Sequence, residues 1–320
     1  MSYAPIVLFA YNRAEHTEKT LKALALNTLA KESDLFIFCD GPKDTATPEQ
    51  VKNINATREI CKKEKWCKNV SIIESNINKG LARNIIEGVT EIINKFGKVI
   101  VLEDDLVTGK YFLEYMNEAL EKYQGNKEVW HVTGWRDPIK HTKKNKAYFY
   151  PTMDCWSWAT WADRWQNYKK DATYYKSIFT DSMKKAFNID GADPYMWLQI
   201  EENISGKINT WAIFWYATIF LKHGLCIAPT TSLCKNIGFD NSGVHCSENQ
   251  AQTIETSIDY KITNFPKRVH INTLEYKRNK NFLRKIKYKQ KIDIVYDIKC
   301  LIPLPLKNCI KKILKKISTS

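Results

Sequence analysis

The sequence predicts an α/β fold: a mostly parallel sheet flanked by helices, ending in a basic amphipathic helical C-terminal tail. Three observations predict it. Strand-like and helix-like patterns alternate through the first 125 residues. The strand-like runs close on polar or acidic residues. Residues 275–320 hold 14 Lys or Arg against 3 Asp or Glu, a net +11 of the chain's +14.

The elements follow in order. Ile6 to Ala10 is an apolar run of strand length. Residues 15–29 place Leu21, Leu24 and Leu29 at roughly helical spacing. Leu35 to Cys39 reads as the second strand, closed by Asp40, Gly41 and Pro42. Pro48 to Lys65 is helical in composition, with Thr47 placed to cap it and Pro48 in its first turn. Val70 to Ile73 is the third strand. Leu81 to Phe96 is a helix with Ile85, Val89, Ile92 and Ile93 on one face. Val99 to Leu102 is the fourth strand. Right-handed crossovers put the C-terminal ends of parallel strands on one edge, so Asn12, Asp40, Asn76 and Asp105 converge there.

The middle of the chain is less regular and rich in Trp. Trp211 to Leu221 is too short to cross a membrane and reads as a buried helix. We divide the chain into residues 1–265, one domain with a first half (1–125) and a second half (126–265), and a basic extension, 266–320. In that extension Ile310, Ile313, Leu314 and Ile317 share a helical face opposite Lys311, Lys312, Lys315 and Lys316. Such a helix suits an anionic membrane surface.

Composition narrows the class. Of 320 residues 44% are hydrophobic and ten are Trp, enough for a sizeable core. Nine cysteines, an odd number without a CxxC pair, read as free thiols of a reducing cytoplasm rather than a disulfide framework or zinc site. No basic segment precedes the first apolar run, as a signal peptide requires. The tail has few aromatics to stack on bases, and no nucleic-acid-binding module is recognisable.

The most informative segment is Glu103, Asp104 and Asp105 at the end of the fourth strand. Three adjacent carboxylates repel one another and are costly to desolvate without a counter-cation. A divalent ion there would remove that cost, and ligands bind at this edge of an open α/β sheet. The residues alone read equally as a solvated acidic turn. An ion on hard oxygens can bridge to a nucleotide diphosphate. Gly80 opens a helix between Lys79 and Arg83, an arrangement that favours anions.

These segments together resemble the GT-A, Rossmann-like fold of nucleotide-sugar glycosyltransferases. Ala10-Tyr11-Asn12-Arg13, Asp40-Gly41, Asn78-Lys79-Gly80 with Arg83-Asn84, and Leu102-Glu103-Asp104-Asp105 stand in that family's order and spacing. The last occupies the place of its Asp-x-Asp metal motif and is similar to the Glu-Asp-Asp of the N-acetylglucosaminyltransferase I group. Residues 155–161, 211–215 and 236–246 resemble bacterial surface-polysaccharide sugar transferases. The resemblance covers residues 3–250 or so.

It implies that Ala10, Asn12 and Arg13 line the nucleotide pocket, that Asp40 contacts the base, and that Arg83 and Asn84 lie near ribose and diphosphate. Asp105 would be the main metal ligand, with Glu103 and Asp104 toward the donor. His245 matches the family's late metal-binding histidine. Imidazole favours Mn2+ over Mg2+. The acceptor would meet Trp135, Arg136, Trp156 and Trp158, although a Trp is as readily core.

One departure matters. The family places a catalytic acid at the start of the helix before the Gly224 turn, where this chain has Trp211-Ala212-Ile213-Phe214. Asp193, Glu201, Glu202 and Asp240 are nearby in sequence; Asp240 and Glu202 are the preferred bases. The expected function is metal-dependent transfer of a sugar from a nucleotide-sugar, with UDP as the nucleotide by analogy, onto a growing cell-surface glycan or lipid-linked acceptor at the inner face of a bacterial membrane. The alternatives are a nucleotidyltransferase making nucleotide-sugars, disfavoured because Tyr11 to Glu15 contains no glycine, and a non-catalytic polyanion binder.

Overall fold

The computed structural model describes residues 3–139, 145–240 and 257–286. The elements are β1 (Ile6–Ala10), α1 (Ala14–Ala25), β2 (Asp34–Cys39), α2 (Pro48–Lys62), β3 (Asn69–Glu74), α3 (Leu81–Phe96), β4 (Lys98–Glu103), β5 (Leu106–Thr108), α4 (Phe112–Tyr123) and β6 (Val129–Thr133). They continue as β7 (Ala147–Tyr150), β8 (Trp158–Trp161), α5 (Ala162–Trp165), α6 (Ala172–Ile178), α7 (Asp181–Phe187), α8 (Tyr195–Ile204), α9 (Ala212–Leu221), β9 (Leu225–Pro229) and β10 (Cys234–Asn236). A final helix, α10, covers 273–286.

The four expected strands and their helices form where the patterns placed them, within a few residues at each end. Thr47 caps α2 as expected, its hydroxyl accepting the Gln50 amide while the Gln50 side chain accepts the Thr47 amide. The α9 segment is buried nearly all round, which accounts for its lack of a polar face.

Eight strands pair in the order β3-β2-β1-β4-β8-β6-β9-β7, and β5 pairs with β10 in a separate ribbon. Strands β1 to β4 are mutually parallel, β8 runs antiparallel between β4 and β6, and β6 and β9 are parallel to each other. The C-terminal ends of β1, β2, β3, β4, β6 and β9 therefore share one edge. Along β1 the side chains alternate between two cores: Ile6, Leu8 and Ala10 join the layer with α1 and α4, and Val7 and Phe9 join the layer with α3 and α9. A third aromatic cluster lies among α6 to α9.

The division at residue 265 is corrected. Asn264 and Ile271 bridge to Lys146 and Phe149, and Phe265, Glu275 and Asn279 are buried. The first part of the extension is thus bound to the second half of the domain by the Ile271 bridge, by the Asn279 hydrogen bond to Asp137 and by Val269 packed against the core. The amphipathic segment at 310–317 lies outside the described residues. Among those described, no helix is long and apolar enough to cross a membrane.

Candidate active site

Strand order reverses at β1: the chain steps outward through β2 and β3, then returns to place β4 on the other side of β1. Such a switch point opens a crevice between the two strand ends. Arg13 follows β1 and the three acids follow β4, so they meet there. Arg13 Nη2 donates to Asp104 Oδ1 and, at 2.9 Å, to Asp105 Oδ2. Asp104 and Asp105 are 5% and 7% exposed, so the acids are not a solvated turn.

Arg13 thus supplies these acids with a counter-cation, a part expected of a metal ion. Burial works against the Arg13 charge, but Asp104 and Asp105 outweigh it and hold the guanidinium protonated. Burial raises Asp104, with Arg13 pulling the other way. Glu103 is left over. Among the described residues no hydrogen bond or ion pair reaches its carboxylate. Burial, then the charges of Asp105 and Asp104, push it up to about 8. A divalent cation fits this orphaned carboxylate: Glu103 and Asp105 offer hard oxygen donors of the kind Mg2+ and Mn2+ take. No group of three metal-ligating side chains is assembled among the described residues, and His245 lies outside them.

The strand after the acids sets the roof of the crevice. β10 pairs with β5 and leads into the Ile237–Gly238 turn, where the Ile237 amide donates to the Asp105 carbonyl at 2.9 Å. A Cβ on Gly238 would stand 2.4 Å from Asp105 Oδ2, so only glycine lets this turn approach the acid so closely.

Asp40 has a different task from the one expected. Its Oδ1 accepts the Gly41 and Lys79 amides at 2.9 and 2.8 Å. Its Oδ2 accepts the Gly80 amide at 3.0 Å and Asn78 Nδ2 at 3.1 Å. These four bonds use the acceptor capacity of a carboxylate, leaving none for a base. Asp40 instead moulds the 78–80 turn that starts α3. Gly80 occupies the N-cap with φ 73°, no side chain among the described residues caps the helix, and its first turn has no acid. The first-turn amides are thus available to an anion. Lys79 and Arg83 flank them, both held by Glu87 at 2.8 and 2.6 Å. Asn84 is buried in the same turn, Ala10 is buried with its carbonyl accepting the Asp40 amide, and Asn12 is half-buried at the crevice mouth.

On the β6 side, Trp135 and Trp156 meet edge-to-face at 4.6 Å, and Trp156 meets Phe239 at 5.5 Å. All three are half-buried, which leaves apolar ring surface open beside the roof. Ser157 follows at φ 53°. Two acceptor candidates are corrected. Trp158 is 1% exposed and stacks on Trp211 and His131, because β8 is buried on both faces. Arg136 is 2% exposed and lies over the Tyr148 and Tyr150 rings, out of reach of an acceptor.

The two base candidates separate. Asp240 pairs with His16 Nε2 at 3.0 Å on the roof loop, and His16 also reaches the Ile237 carbonyl. Glu202 is removed: it is buried at the end of α8, paired with Lys207, and its carbonyl accepts the Lys207 and Ile208 amides. None of those contacts reaches the acids.

No family model matches the sequence, and no curated protein matches it. Solved structures give distant likenesses. Residues 1–349 of TarS from S. aureus align at 11% identity over 73% of this chain and 60% of that one, with a TM-score of 0.40. A fuller TarS structure aligns over 46% of this chain, which spans a quarter of that chain's length (25%), at 12% identity and a TM-score of 0.31. The galactosyltransferase LgtC, in complex with donor and acceptor sugar analogues, gives 10% identity, 67% and 70% coverage and a TM-score of 0.37. UDP-glucose pyrophosphorylase with UDP-glucose gives 13% identity, 51% and 78% coverage and a TM-score of 0.30. At these values the likenesses assign neither donor nor acceptor.

Several residues of the site escape sequence reasoning. Thr20 donates to the Asp104 carbonyl at 2.8 Å and braces the acid turn from α1. His16 and Glu87 carry no motif. Only Gly238, within the Asn236-Ile237-Gly238 run already singled out, offered a signal.

Proposed function

We propose that the chain is a glycosyltransferase that moves a sugar from a nucleotide-sugar, with UDP as the nucleotide, to a cell-surface glycan or lipid-linked acceptor. One observation carries the reading: the Asp40-moulded start of α3 and the Arg13-bound acids of β4 stand on one sheet edge at its switch point. The uncapped α3 amides, with Lys79 and Arg83, receive the diphosphate charge. Arg13 fixes the orientation of Asp104 and Asp105. Glu103 and Asp105 would hold Mn2+ or Mg2+, with His245 as a further ligand. Bound there, the ion would act as a Lewis acid toward the departing diphosphate. The open faces of Trp135 and Trp156 suit the C–H surfaces of an acceptor sugar. The basic residues of 275–320 would hold the protein at an anionic membrane surface.

The test is a thermal-shift and hydrolysis screen over UDP-, GDP-, dTDP- and CMP-sugars, with and without manganese. A manganese-dependent response to one UDP-sugar is expected. Full turnover without any divalent ion would remove the metal from the reading, and no response to any nucleotide-sugar would remove the function. Deletion of residues 287–320 should spare transfer to a soluble acceptor and abolish vesicle binding.

A further inference from the structure

We propose that Asp154 is the base that accepts the proton of the acceptor hydroxyl, a role that rests on the transferase reading. The geometry around it is built for one anchored and one available oxygen. Asp154 Oδ2 accepts the Tyr150 hydroxyl and faces Arg136 Nη1 at 3.7 Å. Its Oδ1 accepts no hydrogen bond among the described residues, and 24% of the side chain remains exposed. The Asp154 carbonyl accepts His131 Nε2 at 3.0 Å, which pins the backbone beneath it.

Arg136 supplies charge without occupying the lone pairs. Its guanidinium is 1% exposed, and none of its three side-chain nitrogens finds a hydrogen-bond partner among the described residues. It faces Asp154 at 3.7 Å and Asp137 at 4.0 Å, and the Tyr148 and Tyr150 rings flank it. Asp137 is tied to Asn279 Nδ2 of α10 at 2.7 Å, so it is less available. Burial raises the Asp154 carboxyl above its ordinary value, with the Arg136 charge and the Tyr150 hydroxyl bond opposing.

Position agrees. Two residues on, Trp156 joins the half-buried aromatic face, and Ser157 donates to Cys234 Sγ at 2.9 Å. Cys234 starts β10, which pairs with the strand that follows the acids. In the step, the acceptor oxygen forms a bond to the anomeric carbon as the bond from that carbon to the diphosphate oxygen breaks. The bonding pair leaves with the diphosphate, the hydroxyl proton passes to Asp154, and water later removes it.

The experiment uses the full chain with manganese, UDP-glucose, UDP-galactose and UDP-N-acetylglucosamine as donors and octyl glycosides as acceptors, reading UDP release. Asp154→Asn keeps shape and is expected to keep the wild-type thermal shift with UDP while turnover falls about a hundredfold or more. Asp154→Ala should regain part of its rate with added formate or azide, which a merely structural role would not allow. Wild-type turnover in Asp154→Asn would overturn the assignment, as would a large loss in both variants without any rescue. A wild-type protein that neither binds nor turns over any donor sinks the transferase reading itself, and this assignment with it.

Discussion

The Asp40 carboxylate accepts the Gly80 amide at 3.0 Å, tying the end of β2 to the start of α3 across forty residues of chain. With the Lys79 and Gly41 amides and the Asn78 side chain on the same two oxygens, this acid stabilises a turn whose glycine has positive φ. Asp40→Asn replaces an acceptor with a donor facing amides. Hydrogen bonds to a charged group are worth about 1.5–3 kcal/mol each. We expect a loss of about 3 kcal/mol in urea unfolding and at least tenfold weaker UDP binding. Unchanged UDP affinity would show that the turn does not serve the donor.

Gly238→Ala tests the roof. Its new Cβ would collide with Asp105 Oδ2, which is itself held by Arg13. Overpacking of this kind costs about 1–3 kcal/mol. The fold should persist by circular dichroism while donor turnover falls sharply. Full turnover would place the Gly238 turn outside the working site.

Asp105→Ala should abolish the manganese-dependent response to the donor, and chelation should do the same to the wild-type protein. Both are read by thermal shift. A wild-type protein indifferent to chelation would leave Arg13 as the sole cation serving these acids.

The two Trp residues of the 156–158 segment should part company. Trp158→Ala removes a core side chain and is expected to cost about 3–5 kcal/mol in chemical denaturation. Trp156→Ala loses edge-to-face contacts worth about 1 kcal/mol but should weaken acceptor use about tenfold at unchanged donor binding. Equal stability losses would contradict the division into core and platform.

His131 predicts an acid limit. It is fully buried between the Trp215 Nε1 donor at 3.1 Å and the Asp154 carbonyl, and burial lowers it to about 3. The unfolded chain takes up its proton near the ordinary value of about 6.5 while the folded chain does not. Stability is therefore complete above that value and declines as pH falls toward the folded value. Between pH 7.5 and 5.0 the wild type should lose about 2 kcal/mol more than His131→Gln. Parallel pH profiles from urea unfolding would refute this.

The strand–helix alternation was legible because burial on both faces of a parallel sheet writes continuous apolar runs, as in β1 and β4, between amphipathic helices such as α3. The acids were legible for a related reason: three carboxylates beside an apolar strand demand a partner. Which partner was not legible, since Arg13 lies about ninety residues away in sequence and a salt bridge has no periodicity. Trp156 and Trp158 are alike as letters and two residues apart, so strand alternation would give them one face; the positive φ of Ser157 between them, and the start of β8 at Trp158, separate core from surface.

Taken by itself, the amino-acid order determined the parallel sheet, its helices and the edge on which polar residues gather, because local periodicity and crossover handedness suffice for that. Tertiary structure alone decided that Asp40 serves a turn, that Arg136 is buried under tyrosines, that Glu202 stands elsewhere, and that one Asp154 oxygen has no hydrogen-bond partner among the described residues. Those outcomes depend on hydrogen-bond capacity and burial, which exist only once distant segments meet.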